Sequence, residues 1–295
     1  MIKYVIISPV KNEEKFIEKT LFSVTQQNIL PLRWIIVNDG STDATSMIIE
    51  RFTQQYPWIQ RIDMPDKGFR AGTGPAYAFN RGLEEVKDDD FDFIINLDGD
   101  VSFDNGYFED IFEEFKLNPK LGIASGKSFY LENGKRILHR CADTSTMGPS
   151  KVYRRKCFED VGGALATNIC WDMIDDLKAQ MKGWEVRSFR DIHFIHYKRI
   201  GVKQGNNLGT YIFEGNILYQ YGYDPLFLLV KSVYRSIERP YLLRTIGMVW
   251  GYFDSMAKKK DQIEDKDMIA FLRKKQREKL NLIRIFQMKI LKNDK

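Results

Sequence analysis

Covalent and metal staples are scarce in this chain of 295 residues, which has only three cysteines and three histidines. Cys141, Cys157 and Cys170 are odd in number and form no CxxC pair, so a disulfide framework and a zinc site are not expected. A reduced, cytoplasmic setting follows as the simplest expectation. Long apolar runs are missing too. The longest stretch without a charge, Thr20 to Leu32, is 13 residues and includes Thr25, Gln26, Gln27 and Asn28. A helix needs about 20 apolar residues to span a bilayer, so no spanning segment is expected. Met1-Ile2-Lys3-Tyr4 opens directly into an apolar run without the layout of a signal peptide. No internal repeat or low-complexity segment is present, and a net charge of +5 names no partner. Hydrophobic residues at 43% and aromatics at 13% supply a packed core and exclude a disordered or fibrous chain. The length suits one large domain or two small ones.

The mild total hides a local excess. Lys258 to Lys295 carries 13 Lys+Arg against 6 Asp+Glu, a net of +7, so the other 257 residues carry −2. The tail holds the cluster Arg273-Lys274-Lys275-Gln276-Arg277, followed by Leu280, Ile283, Phe286 and Ile290 at helical spacing, with Leu282 and Ile285 widening the apolar face. A basic amphipathic helix suits an anionic membrane surface, and its alternative is a helix docked on its own domain. The aromatic stretch from Tyr219 to Phe253, with Lys231, Arg235, Arg239 and Arg244, either adds to an interfacial surface or packs as a helical subdomain. Nothing in the first 257 residues supports a nucleic-acid partner.

The first half alternates strand and helix. Tyr4-Val5-Ile6-Ile7, Trp34-Ile35-Ile36-Val37 and Phe91 to Leu97 read as buried strands. Helices are expected through Ile17, Leu21 and Val24, through Met47, Ile48 and Phe52 after a cap at Ser41 or Asp43, and through Phe108, Ile111, Phe112 and Phe115. Further on, Glu132 to Gly163 reads as loops and short strands, and Asp172 to Lys182 as a helix with Ile174, Leu177 and Met181 inward. Arg187 to Tyr197 reads as a strand pair or hairpin, and the chain is helical from Gly215. Such alternation predicts an α/β fold, a mainly parallel sheet with helices on both faces, plus a C-terminal helical extension. Ligands bind beyond the carboxyl ends of such strands, so Ser8-Pro9, Asn38-Asp39 and Leu97 to Asp100 should line one crevice.

The strongest chemical signal is Asn96-Leu97-Asp98-Gly99-Asp100 at the end of a strand. Two carboxylates at i and i+2 can converge on one hard cation, which cancels the charge of a diphosphate. Asp98, Asp100, Ser102, Asp104 and Glu109 also fall at EF-hand ligand positions. That loop, however, needs Gly where Phe103 stands, and a helix rather than a strand ahead of it.

The run Ile7-Ser8-Pro9-Val10-Lys11-Asn12-Glu13-Glu14, then Ile36-Val37-Asn38-Asp39-Gly40-Ser41-Thr42-Asp43, then Leu97-Asp98-Gly99-Asp100 resembles glycosyltransferase family 2. All three motifs match in order and spacing. The resemblance extends less sharply through Tyr153-Arg154-Arg155, Gly162-Gly163 and Trp171-Asp172 to His196. It implies the GT-A fold, which is Rossmann-like, and an inverting enzyme with a nucleotide-sugar donor and a divalent metal, Mn2+ or Mg2+.

Carried over by motif, the resemblance implies that Asp39 accepts a hydrogen bond from a base N–H. Pro9, Val10 and Glu13 would line the same pocket, and Arg70 would contact base or phosphate. Uracil, thymine and guanine all present a suitable N–H, so UDP-, dTDP- and GDP-linked donors stay open. Asp98 would touch the ribose or a metal-bound water, Asp100 would ligate the metal, and His196 would complete the site. The family's catalytic base opens a helix with a Gly at its far end. Setting Gly183-Trp184 there puts Asp172 at the base position and Trp171 where Glu is usual, with Asp175 and Asp176 as fallbacks.

The expected activity is transfer of a sugar to a glycan or lipid-linked acceptor in cell-surface polysaccharide or glycolipid synthesis. A peripheral position at the inner face of the plasma membrane is expected, and a homodimer is compatible with the sequence. The expected division is 1–212 as catalytic domain (1–100 nucleotide-binding half, 101–212 acceptor half) and 213–295 as helical region with the basic tail. The alternatives are a non-catalytic nucleotide- or sugar-binding relative and a nucleotidyltransferase. The latter usually carries a Gly-rich phosphate loop where this chain has Ser8-Pro9-Val10-Lys11-Asn12.

Overall fold

Apolar runs that stay hydrophobic at every position need cover on both faces, and the centre of the sheet supplies it. Strands β1 (Tyr4–Val10), β2 (Arg33–Asp39), β3 (Ile59–Met64) and β4 (Phe93–Leu97) are parallel neighbours. Tyr4 and Ile6 point into one core with Trp34, Ile36, Phe93 and Ile95, while Val5 and Ile7 point into a second with Ile35, Val37 and Ile94. The computed structural model describes residues 2–68, 73–132, 134–139, 141–163, 171–198, 208–235 and 241–293. Within them the chain forms two compact units, 1–199 and 200–295.

The first unit completes its sheet with β5 (Val101–Phe103), β6 (Leu121–Glu132), β7 (Lys135–Leu138), β8 (Ser150–Arg154) and β9 (Glu185–His196). The order is β3-β2-β1-β4-β8-β6-β9-β5, with β7 paired to β6. Strand β8 runs antiparallel to both β4 and β6, and β9 is parallel to β6. Helices α1 (Ile17–Thr25), α2 (Thr45–Gln55), α3 (Thr73–Glu84), α4 (Tyr107–Leu117), α5 (Arg155–Asp160) and α6 (Trp171–Met181) surround it. Phe108, Ile111, Phe112 and Phe115 of α4 sit in the first core, as their spacing predicts.

Three elements differ from the sequence expectation. Residues 187–197 are no hairpin but most of the single strand β9, paired with β6 along its length. The register jumps between Gly126↔Phe189 and Lys127↔His193, so residues 190–192 leave the ladder, and the polar pair Arg190 and Asp191 in that bulge is what imitates a turn in the sequence. Within 132–163 the expected short strands are β7 and β8, and the helix α5 is the addition. Helix α6 buries Ile174, Asp175, Asp176 and Ala179, while Leu177 and Met181 are only half-buried, so its inward face is half acidic.

The second unit contains α7 (Leu208–Gln220), α8 (Pro225–Arg235), α9 (Tyr241–Ala257) and α10 (Lys266–Asn293). Pro225 sits at the first helical position of α8, where its missing N–H costs nothing, and Asp224 Oδ1 accepts from Leu226 N and Phe227 N at 3.0 and 3.2 Å. Helices α7 and α9 meet backbone to backbone. A Cβ at Gly251 would stand 2.0 Å from Ile212 O, and one at Gly215 2.1 Å from Met248 O.

Candidate active site

The parallel register brings the carboxyl ends of three strands together. Val10 lies opposite Asn38, and Ile7 opposite Asn96, so Asp39 ends and Asp98 follows a strand beside β1. Side chains then join the loops beyond. Asn12 N donates to Ser41 Oγ at 3.0 Å, Thr42 N to Asn12 Oδ1 at 2.8 Å, and Glu13 N to Thr45 Oγ1 at 2.7 Å. These loops meet closely at Gly99, where a Cβ would stand 3.2–3.3 Å from Ile17 Cδ1, Glu13 Cγ and Val10 Cγ2. The three segments expected to line one crevice thus meet at the carboxyl ends of adjacent strands.

Asp43 belongs to this framework one residue ahead of Ala44, the N-cap of α2, and its carboxylate braces Thr45 and Glu14. Burial alone would raise its carboxyl pKa, but hydrogen bonds from Thr45 Oγ1, Thr45 N–H and Glu14 N–H outweigh that and hold it below the usual carboxylate range. Lys11 pairs with Asp66 at 2.6 Å, next to the buried Asp39. Pro9 and Val10 end β1 in the same crevice, and Arg70 lies outside the described residues.

The short β5–β9 ladder builds the acidic centre. Val101 pairs with His196, and Tyr197 N donates to Asp100 O at 2.9 Å, which sets the imidazole beside the carboxylate. His196 Nε2 is 3.3 Å from Asp100 Oδ1. Asp98, Asp100 and His196 each present a ligand atom within 4.8 Å of the others. His196 is buried, and its Nδ1 has no hydrogen-bond partner among the described residues. Such an orphaned buried nitrogen, next to two carboxylates that would repel each other, fits a cation site. A mixed nitrogen and oxygen set suits Mn2+ at least as well as Mg2+.

Lys198 was not singled out by sequence. Its ammonium pairs with the Glu13 carboxylate and stands 3.8 Å from Asp100 Oδ2.

Helix α6 carries all three carboxylates considered for the base. Asp175 Oδ2 accepts from Tyr153 OH at 2.7 Å. Asp176 accepts from Thr146 N, Thr146 Oγ1 and Ser145 Oγ at 2.8, 2.7 and 3.1 Å, and pairs with the buried Lys151 at 2.9 Å. Both are buried and committed to holding α6 against β8. Position 172 is one turn nearer the helix N-terminus on the same face by its i, i+3, i+4 spacing, and its side chain lies outside the described residues. Cys141 and Cys157 are thiols rather than a disulfide, and burial pushes the Cys157 thiol up to about 12, which removes it as a nucleophile at neutral pH. Cys170 lies outside the described residues.

Residues 5–170 match the family described as Glycosyl transferase family 2. The chain belongs to this family. Its relatives include the poly-beta-1,6-N-acetyl-D-glucosamine synthase of Staphylococcus epidermidis, 32% identical over 115 residues, which are 39% of this chain and 26% of the relative. The enzyme of the same name from Staphylococcus aureus strain COL shows the same identity over the same shares. The match thus spans about a quarter of the length of these relatives. Two solved family folds are similar. Mannosyltransferase PcManGT from Pyrobaculum calidifontis, in complex with GDP-Man and Mn2+, is 16% identical with a TM-score of 0.56, covering 90% of this chain and 78% of that one. S. aureus TarS 1-349 in complex with UDP-GlcNAc is 16% identical with a TM-score of 0.55, covering 91% and 78%. At this identity they establish the shared GT-A architecture.

Proposed function

We propose that this family 2 protein is an inverting glycosyltransferase that moves a sugar from a nucleoside-diphosphate sugar to a glycan or lipid-linked acceptor in polysaccharide or glycolipid synthesis. The observation that carries the reading is the convergence of Asp98, Asp100 and His196 at the end of β4, in the same crevice as Asp39. PcManGT and TarS, of the same architecture, were solved with GDP-Man and UDP-GlcNAc, and PcManGT with Mn2+ as well. The relatives named as N-acetylglucosamine polymer synthases support a cell-surface glycan as product. A cytoplasmic, peripheral location fits the unpaired thiols and the lack of any described helix long and apolar enough to cross a membrane.

In this reading Asp39 accepts the base N–H, and Pro9, Val10 and Glu13 wall the nucleotide pocket with Arg70. Asp100 and His196 would hold a divalent cation directly, and Asp98 directly or through water. When bound, that cation supplies neutralisation of the diphosphate charge. Lys198, released from Glu13, is within reach of the same phosphates and adds a second positive charge. Asp172 takes the proton of the acceptor hydroxyl as its oxygen attacks the anomeric carbon. The bond from that carbon to the diphosphate oxygen breaks, the nucleoside diphosphate leaves with the electron pair, and the configuration inverts. Asp175 and Asp176 act beneath it by fixing the helix.

A panel of nucleotide sugars assayed for nucleoside-diphosphate release identifies the donor, and Asp172→Asn then tests the base. Donor affinity should persist while transfer falls by about 10²- to 10⁴-fold, the usual worth of a general base. Full activity in Asp172→Asn would move the base elsewhere.

A further inference from the structure

The second unit has a small apolar core, Leu228, Met248 and Tyr252, flanked by buried small and polar residues, and it leaves many of its other large apolar residues exposed. On α9 the inward positions include Gly251 and Ser255, and Gly251 lies so close to Ile212 O that no side chain fits. The outward positions are Leu242, Ile246 and Trp250, exposed by 61, 57 and 65%. On α8 the inward positions are Leu228 and Ser232, and the outward ones include Leu226, Leu229 and Val233 at helical spacing, with Val233 71% exposed. The two helices are neighbours, joined by a hydrogen bond from Thr245 Oγ1 to Ser232 O at 3.0 Å. Single exposed apolar residues are ordinary, but two adjacent stripes of them form a patch that calls for a partner. Close helix contact through small residues, with bulky apolar groups outside, is the arrangement used where the surroundings are lipid.

Charge identifies which partner. Residues 200–295 carry 18 Lys+Arg against 10 Asp+Glu, a net of +8, whereas 1–199 carry −3. Beside the α8 stripe runs a groove of about 1030 Å3 where Leu226 and Val230 share walls with Leu280, Arg273 and Arg277. Arg273 Nε donates to Gly222 O and Arg277 Nε to Asp224 Oδ2, which anchors both guanidinium groups while most of their N–H donors remain available. Guanidinium groups edging an apolar strip match the phosphates and acyl chains of an anionic lipid. No helix among the described residues is long and apolar enough to cross a membrane, so the fitting geometry is one lying in the interface.

We infer that the outward face of α8 and α9, with the Arg273–Arg277 groove beside it, is a docking surface for an anionic phospholipid bilayer. The surface stands independently of the sugar-transfer reading, and would hold the protein where lipid-linked acceptors reside. It also narrows the interfacial surface that the sequence offered over Tyr219 to Phe253 to the outward faces of two helices.

The test is flotation of the full chain with vesicles of phosphatidylcholine, with and without phosphatidylglycerol, at low and high salt. The chain should float with the phosphatidylglycerol vesicles, less as salt rises. Val233→Glu and Trp250→Glu should each lower the bound fraction by about tenfold, because a carboxylate then faces the bilayer, and Val233→Leu should bind as the parent does. Both acidic changes are at exposed positions, and an unaltered thermal transition would verify the fold. Flotation unaffected by either acidic change, or absent with the anionic vesicles, overturns the proposal. So does a lipid-free dimer, seen by sedimentation, that Val233→Glu dissociates, since a second copy would then be the occupant.

Discussion

Lys198 links the acidic centre to the nucleotide crevice. Its ammonium pairs with Glu13 and lies 3.8 Å from Asp100 Oδ2, so it competes with a divalent ion for the same carboxylate. In Lys198→Met, Mn2+ should therefore bind the nucleotide-free protein about tenfold more tightly, equivalent to about 1.4 kcal/mol. Titration calorimetry reads this directly, and an equal or weaker affinity contradicts the competition. The residues that meet here differ in how visible they are in sequence. Asp98 and Asp100 are two positions apart at a strand end, and their chemistry can be read locally. His196 reaches them only through the β5–β9 ladder, which no local pattern reveals, and the family resemblance supplied it. Lys198 has neither aid, because a lysine just past a strand resembles any solvated lysine.

At the scale of elements, β8 holds α6 in place by buried polar contacts. Lys151 and Tyr153 alternate onto one face of β8 and meet Asp176 and Asp175. Removing one partner of such a pair leaves a buried charge uncompensated. Lys151→Met should thus cost about 3 kcal/mol, the lower end for a broken buried pair because Thr146 and Ser145 still serve Asp176. Urea denaturation measures it, and a loss below about 1 kcal/mol would mean that the hydroxyl and amide donors suffice alone. Apolar strands such as β1, β2 and β4 are legible because both of their faces are covered. Strand β3, with Gln60, Arg61 and Asp63 in six residues, lies at the sheet edge and lacks that signal. Strand β9 is obscured by its bulge, and α6 by the carboxylates on its inward face, which a hydrophobic pattern reads as outward.

For the whole molecule, the mild total charge resolves into two units of opposite sign, −3 in the unit with the crevice and +8 in the helical unit. An acidic crevice needs a cation before it can take a diphosphate, and a basic helical unit suits an anionic surface. The first statement is central, since the proposed chemistry fails without it. Calorimetry of UDP, dTDP and GDP with and without Mn2+, on the parent chain and on Asp100→Asn, tests it most directly. At least one of the three nucleotides should bind only with Mn2+, and Asp100→Asn should weaken that binding by tenfold or more, about 1.4 kcal/mol. Binding that ignores Mn2+, or that is equal in the two proteins, would contradict the account.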